Sequence, residues 1–172
     1  ERDDLGRFFE WLFNNLAVVV HPDWRVGVES LDGVPSCAPG DGERWQCIRK
    51  MFVNERGGGD GSAQDLWLLQ AIPRCWLRPG SRLGVRDMGT CFGGKVDLNV
   101  RVGEDVGSVE VDVEWRGLAI QPRAVVLRMR SGDGRPLRQA RIDGALSQVG
   151  PGDTVTLPAA KDARHRIVAT FE

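Results

Sequence analysis

Ser108-Val109-Glu110-Val111-Asp112-Val113-Glu114-Trp115 alternates apolar and polar side chains, with the polar positions after Ser108 all acidic. A period of two is the repeat of a pleated strand, so this stretch predicts a strand with one face on a core and the other toward water. Moving outward, residues 95–102 and 82–85 bracket Gly93-Gly94, and residues 66–72 form a short apolar run closed by Pro73. Downstream, residues 124–129, 139–142, 154–157 and 164–171 are separated by turn clusters such as Ser131-Gly132-Asp133-Gly134 and Pro151-Gly152-Asp153. Short strands at close spacing, with no helix between them, predict an antiparallel β-sandwich or barrel. A parallel pairing would need a crossover of about a dozen residues or more, and none is expected.

Before residue 62 the period is helical. Leu5, Phe8, Phe9, Leu12, Phe13, Leu16 and Ala17 fall on one face of a helix over residues 4–20, which Asp3 or Asp4 can cap and His21-Pro22 stops. After an extended stretch containing Trp24, a second helix is expected from Asp41. Trp45, Ile48, Met51 and Phe52 share its face, and Gly57-Gly58-Gly59 ends it. The expected fold class is therefore mainly β: an antiparallel β-sandwich over residues 63–172, preceded by two amphipathic helices within residues 1–62. A helix as rich in phenylalanine as the first needs a partner surface.

Composition narrows the partners. The chain has 172 residues, 41% of them apolar and 27% charged, with a net charge of −1. Neither half is strongly basic, so no nucleic-acid partner is expected. No run of apolar residues is long enough to span a bilayer, so no membrane partner is expected. Arginine far outnumbers lysine, a bias read as composition rather than as an anion site. Glu1 is not an initiator and the opening residues do not resemble a signal, so the chain is expected to be an excised piece; its localisation is left undetermined. The four cysteines, Cys37, Cys47, Cys75 and Cys91, show no metal-ligand spacing and are expected to be free thiols, although Cys37 and Cys47 are near enough in sequence to bridge.

An ordered set of fragments carries a resemblance. Arg49-Lys50-Met51-Phe52-Val53-Asn54-Glu55 is followed by Leu68-Leu69-Gln70-Ala71-Ile72-Pro73-Arg74-Cys75-Trp76-Leu77, then Thr90-Cys91-Phe92-Gly93, and much later Ile142-Asp143-Gly144. This order resembles the C-terminal region of bacterial six-hairpin glycosidases, over roughly residues 5–172. Asp143 stands where the pattern usually has Asn, a small departure in a turn that accepts either. The resemblance implies an α/α toroid that hydrolyses sugars, most of it outside this chain, and a β-sandwich behind it. The implied partner is that missing N-terminal catalytic domain, or a second polypeptide in its place.

Glycoside hydrolysis generally needs two carboxyl groups flanking the scissile bond. Glu43 and Glu55, if both helical, would stand about 18 Å apart along the axis, too far for one such pair, so no catalytic dyad is expected within the chain. Glu43, Arg44 and Trp45 are candidate substrate contacts at a cleft rim, against a plainer role for Glu43 in complementing the helix dipole. Arg74 and Trp76 are candidates for orienting a sugar by hydrogen bonds and stacking, against burial of the indole and pairing of the arginine with a carboxylate. Trp115 continues the valine face and is expected in the core. There is no nucleophile elbow and no phosphate loop, and Gly132-Asp133-Gly134 offers too few oxygens for calcium, so no metal or other cofactor is expected. Asp97 and Asp112 are expected to be solvated. The function expected is an ancillary C-terminal β-sandwich of a glycoside hydrolase. The alternatives are a free-standing carbohydrate-binding module using Trp24, Trp67 or Trp76, or a protein-contact sandwich. Self-association through the phenylalanine face is expected of the isolated chain.

Overall fold

A computed structural model of the chain describes residues 5–19, 38–57, 62–105 and 107–172; for residues 5, 8, 15–19 and 38–44 it describes the backbone only. Two compact units divide at Ile48 and Arg49. The first contains helix α1 (Leu5–Val19) and most of α2 (Ala38–Phe52). In α1, Leu12 is buried, Trp11 and Phe13 are exposed, and the rings of Phe9 and Phe13 stack with centroids 6.2 Å apart. The capping residues expected before α1, the His21-Pro22 stop and Trp24 lie outside the described residues, as does Cys37.

The second unit is the expected sandwich. One sheet has four strands in the order β1 (Val53–Gly57), β2 (Ala63–Leu68), β6 (Ala124–Arg128), β9 (Thr154–Leu157). The other has six, in the order β3 (Arg82–Gly89), β4 (Lys95–Val102), β5 (Ser108–Arg116), β10 (Ala163–Phe171), β7 (Leu137–Ile142), β8 (Ala145–Ser147). Alternation in sequence becomes alternation in burial. Val96, Leu98, Val100 and Val102 of β4 and Val109, Val111, Val113 and Trp115 of β5 are all buried. So are Leu66 and Leu68 of β2, Val125 and Leu127 of β6, and Val155 and Leu157 of β9. Trp115 is fully buried, and its indole Nε1 donates to Ala160 O at 2.9 Å. That bond removes the cost of a polar atom in an apolar core.

Three local readings differ from the structure. Helix α2 stops at Phe52 rather than at the glycines, and residues 53–57 form strand β1, antiparallel to β2 with Val53 opposite Leu68. The helix end is satisfied by the turn after β2: Leu69 N donates to Phe52 O at 2.8 Å and Ala71 N to Met51 O at 3.3 Å. The run read as a strand through Ile72 ends at Leu68, because Leu69 takes a positive φ of 53° and turns the chain. Finally, β2 and β6 pair in parallel, Leu66 opposite Val125. The crossover that parallel pairing requires does exist, but it consists of three strands of the opposite sheet, β3, β4 and β5, rather than a helix. All other strand pairs among the described residues are antiparallel.

Candidate functional site

Residues 49–55, 69–76 and 89–91 meet around the end of α2. Arg49, three residues before the end of α2, extends its guanidinium to Glu55 on β1, with Nη1 to Oε2 at 2.8 Å and Nη2 to Oε1 at 2.5 Å. The same guanidinium donates to Gly89 O at 2.6 Å and to Val53 O at 3.3 Å. Glu55 Oε1 also accepts the N–H of Cys91 at 3.0 Å. One ion pair thus joins the helix end, the first strand and the β3–β4 loop, where Thr90 Oγ1 donates to Gly93 O at 2.6 Å.

The environment fixes the charge state. Burial is the largest single influence on Glu55 and pushes its carboxyl up, but the Arg49 hydrogen bonds, the Cys91 N–H and the guanidinium charge together outweigh it. The carboxyl is held below its ordinary value, while the hydrogen bond from Glu55 holds Arg49 above its own. Burial, then the Glu55 charge, push the Cys91 thiol up, away from the reactive thiolate form. Glu55 is therefore a fully engaged anion on a strand, without a free oxygen poised as an acid.

Arg74 and Trp76 occupy a single 3-10 turn after Pro73. Arg74 Nη1 donates to Ser131 O at 2.6 Å, which ties the turn to the β6–β7 loop. Arg130 Nη1 donates to Ile72 O at 2.8 Å in the same seam. Gly132 lies so close that a Cβ there would stand 2.0 Å from Leu77 O. Trp76 stacks on Phe52 with centroids 6.4 Å apart and stays 39% exposed. The two candidates thus diverge: the arginine is committed to the chain itself, while the indole keeps one part in water. Trp67 carries the Arg56 guanidinium over its ring at 4.1 Å, and its buried Nε1 has no hydrogen-bond partner among the described residues. Glu43 and Arg44 lie in α2, among residues of which only the backbone is described, and Trp45 is 70% exposed.

On the outer face of the six-stranded sheet, residues expected to be solvated form a ladder. Asp97 Oδ1 accepts the Asp87 N–H at 2.6 Å and Oδ2 accepts Arg116 Nη1 at 2.7 Å; these two bonds, in that order, hold its carboxyl below the usual range. Arg101 Nη2 reaches Asp112 at 2.7 Å and Glu110 at 3.3 Å, and Glu110 also takes Arg166 Nη2 at 2.7 Å. Both aspartates keep about a third of their surface in water, 33% and 30%, and their pairing has a simple cause: alternate residues of neighbouring strands stand side by side, so acidic β5 lies between arginines of β4 and β10. The same alternation that marked the strand in sequence was the signal available for this ladder.

At the β7–β8 hairpin, Asp143 and Gly144 both have positive φ, 51° and 85°, as a two-residue turn of this hand requires. Asp143 also accepts the Arg166 N–H at 2.8 Å and contacts His165 Nδ1 at 2.7 Å; in that order they hold its carboxyl low. Cys47, Cys75 and Cys91 are free thiols. Among the described residues no group of His, Cys, Asp or Glu is arranged to hold a metal ion, and no helix is long and apolar enough to cross a membrane. The chain matches no protein-family model, no curated protein and no solved structure.

Proposed function

We propose that this chain is the ancillary C-terminal β-sandwich portion of a carbohydrate-active glycoside hydrolase, and that its work is to pack against a catalytic domain outside these residues. The observation that carries this reading is three large aromatic side chains of the helical unit left in water: Trp11, Phe13 and Trp45 are 56%, 50% and 70% exposed. Burying one large apolar side chain stabilises an assembly by about 1.5–3 kcal/mol, so three such rings left in water favour association. The engagement of Arg49, Glu55 and Arg74 with the chain itself also fits an architectural role better than a catalytic one.

The test has two arms. The reading frame upstream of Glu1 is expected to encode further helical hairpins. In sedimentation velocity the isolated chain is expected to self-associate, and Trp11→Ser with Phe13→Ser and Trp45→Ser to make it monomeric. An initiator codon directly before Glu1, together with a monomeric parent chain, would overturn the proposal.

A second reading, a free-standing carbohydrate-binding module, draws on the half-exposed ring of Trp76. It predicts a change in tryptophan fluorescence with some member of a glycan panel, lost in Trp76→Ala. A panel without response rejects it.

A further inference from the structure

We propose that the outer face of the six-stranded sheet carries a binding groove for a neutral, hydroxyl-rich ligand of about the size of one sugar ring. The groove has a volume of about 190 Å³ and crosses β3, β4, β5 and β10. Its polar lining is Arg86, Asp97, Asn99, Asp112, Glu114 and Arg164. A hollow of that size admits several water molecules, and so a single ring. A larger hollow of about 520 Å³ lies beside the β7–β8 hairpin and β9, but Ile142, Leu146, Leu157 and Pro158 make its lining mainly apolar, and a cavity between Leu69, Leu77, Val111 and Met129 holds only about 10 Å³.

The local backbone explains why a depression exists on an otherwise ordinary sheet. Gly84 faces Asn99 across the β3–β4 pair, where a Cβ would stand 2.3 Å from the Leu98 carbonyl oxygen, so main chain alone fills that position. One residue further, the register shifts between Val85 and Met88, and Asp87 takes a positive φ of 52°. Bulges of this kind re-aim side chains and recur beside binding sites, and Arg86 sits within this one.

The chemistry of the lining then selects the ligand. Asp97 and Asp112 are held in place by Arg116 and Arg101. By contrast, the side chains of Arg86, Asn99, Glu114 and Arg164 make no hydrogen bond or ion pair among the described residues, although Arg86 acts through its charge on Asp97 and Glu114 on Arg116. This set contains a carboxylate, an amide and two guanidiniums, so it presents acceptors and donors side by side. A hydroxyl group donates and accepts at once, and a pair on adjacent carbons spans neighbouring side chains of a sheet. A phosphate would meet three carboxylates. A divalent cation would meet two guanidiniums. A neutral polyol satisfies both kinds of group. The lining holds no aromatic ring, so binding rests on hydrogen bonds alone and belongs in the millimolar range. This groove shares no residue with the packing surface proposed above, so either can fail without the other.

The experiment is an amide chemical-shift titration of the full, isotope-labelled chain with the methyl glycosides of glucose, galactose, mannose and xylose. Inorganic phosphate and calcium serve as ionic competitors. At least one glycoside is expected to shift the amides of residues 97–99 and 112–114 saturably below about 100 mM. Asn99→Ala and Glu114→Ala, made singly, should each weaken that glycoside about tenfold, while Arg141→Ala, on β7, leaves it unchanged. Asn99 is exposed, so its variant reports on binding even if Glu114→Ala disturbs the sheet. No shift of these amides with any of the four glycosides overturns the proposal, as does a larger response to phosphate or calcium, or binding that survives both variants.

Discussion

Replacing Glu55 by glutamine keeps the side-chain shape but removes the charge that Arg49 meets at two points. The carboxylate is only 11% exposed, so its neighbours lose a partner that water replaces poorly. Glu55→Gln is expected to lower stability by about 1–2 kcal/mol in urea denaturation, and a double-mutant cycle with Arg49→Ala should show strong coupling. The pH dependence follows from the direction of the shift. The folded carboxyl titrates below its unfolded value of about 4.3, so its contribution is complete above that pH. It is lost as the pH falls through the folded value. The gap between parent and variant should therefore be constant near neutrality and close in acid. In sequence both partners belong to one fragment that reads as helix, where positions six apart do not face each other. Their pairing became visible only with the strand that starts at Val53.

Strands were legible where a wet face gives a clear period of two. β4, β5, β9 and β10 alternate cleanly and fall within a residue or two of the expected ranges. β1 and β8 were not legible, for different reasons. β1 reads Val-Asn-Glu-Arg-Gly and continues a helix without a break, so nothing local marks the change. β8 spans only Ala145–Ser147, too short for a period to show. The parallel β2–β6 pair depends on a connection through the other sheet, which no local pattern encodes. At this scale the seam between the 3-10 turn and the β6–β7 loop is testable. Gly132→Ala puts a methyl group against the Leu77 carbonyl oxygen, with backbone on both sides of the clash. A loss of about 1–3 kcal/mol is expected in thermal or urea unfolding. A variant as stable as the parent would show that the two segments are not in contact. Of the candidate site residues, the sequence singled out Arg74 and Trp76 from their setting after Pro73, but their opposite fates depend on Ser131 and Phe52, both distant along the chain.

Across the sandwich, β10 is the central strand that joins two halves of the six-stranded sheet. It pairs with β5 on one side and β7 on the other, and it buries Ile167, Ala169 and Phe171. Deleting residues 163–172 should abolish cooperative unfolding altogether rather than trim an edge, a loss that circular dichroism and a urea titration would register. A truncated chain that still unfolds in a single sharp transition would show that the halves are independent. Pairings this distant in sequence also place the protein among slow folders. During synthesis, β5 must wait with one bare edge, of alternating valine and acidic residues, while residues 117–162 are added. The acidic side chains on that edge repel copies of themselves, so the half-made chain carries its own protection against joining another nascent chain before its proper neighbour arrives.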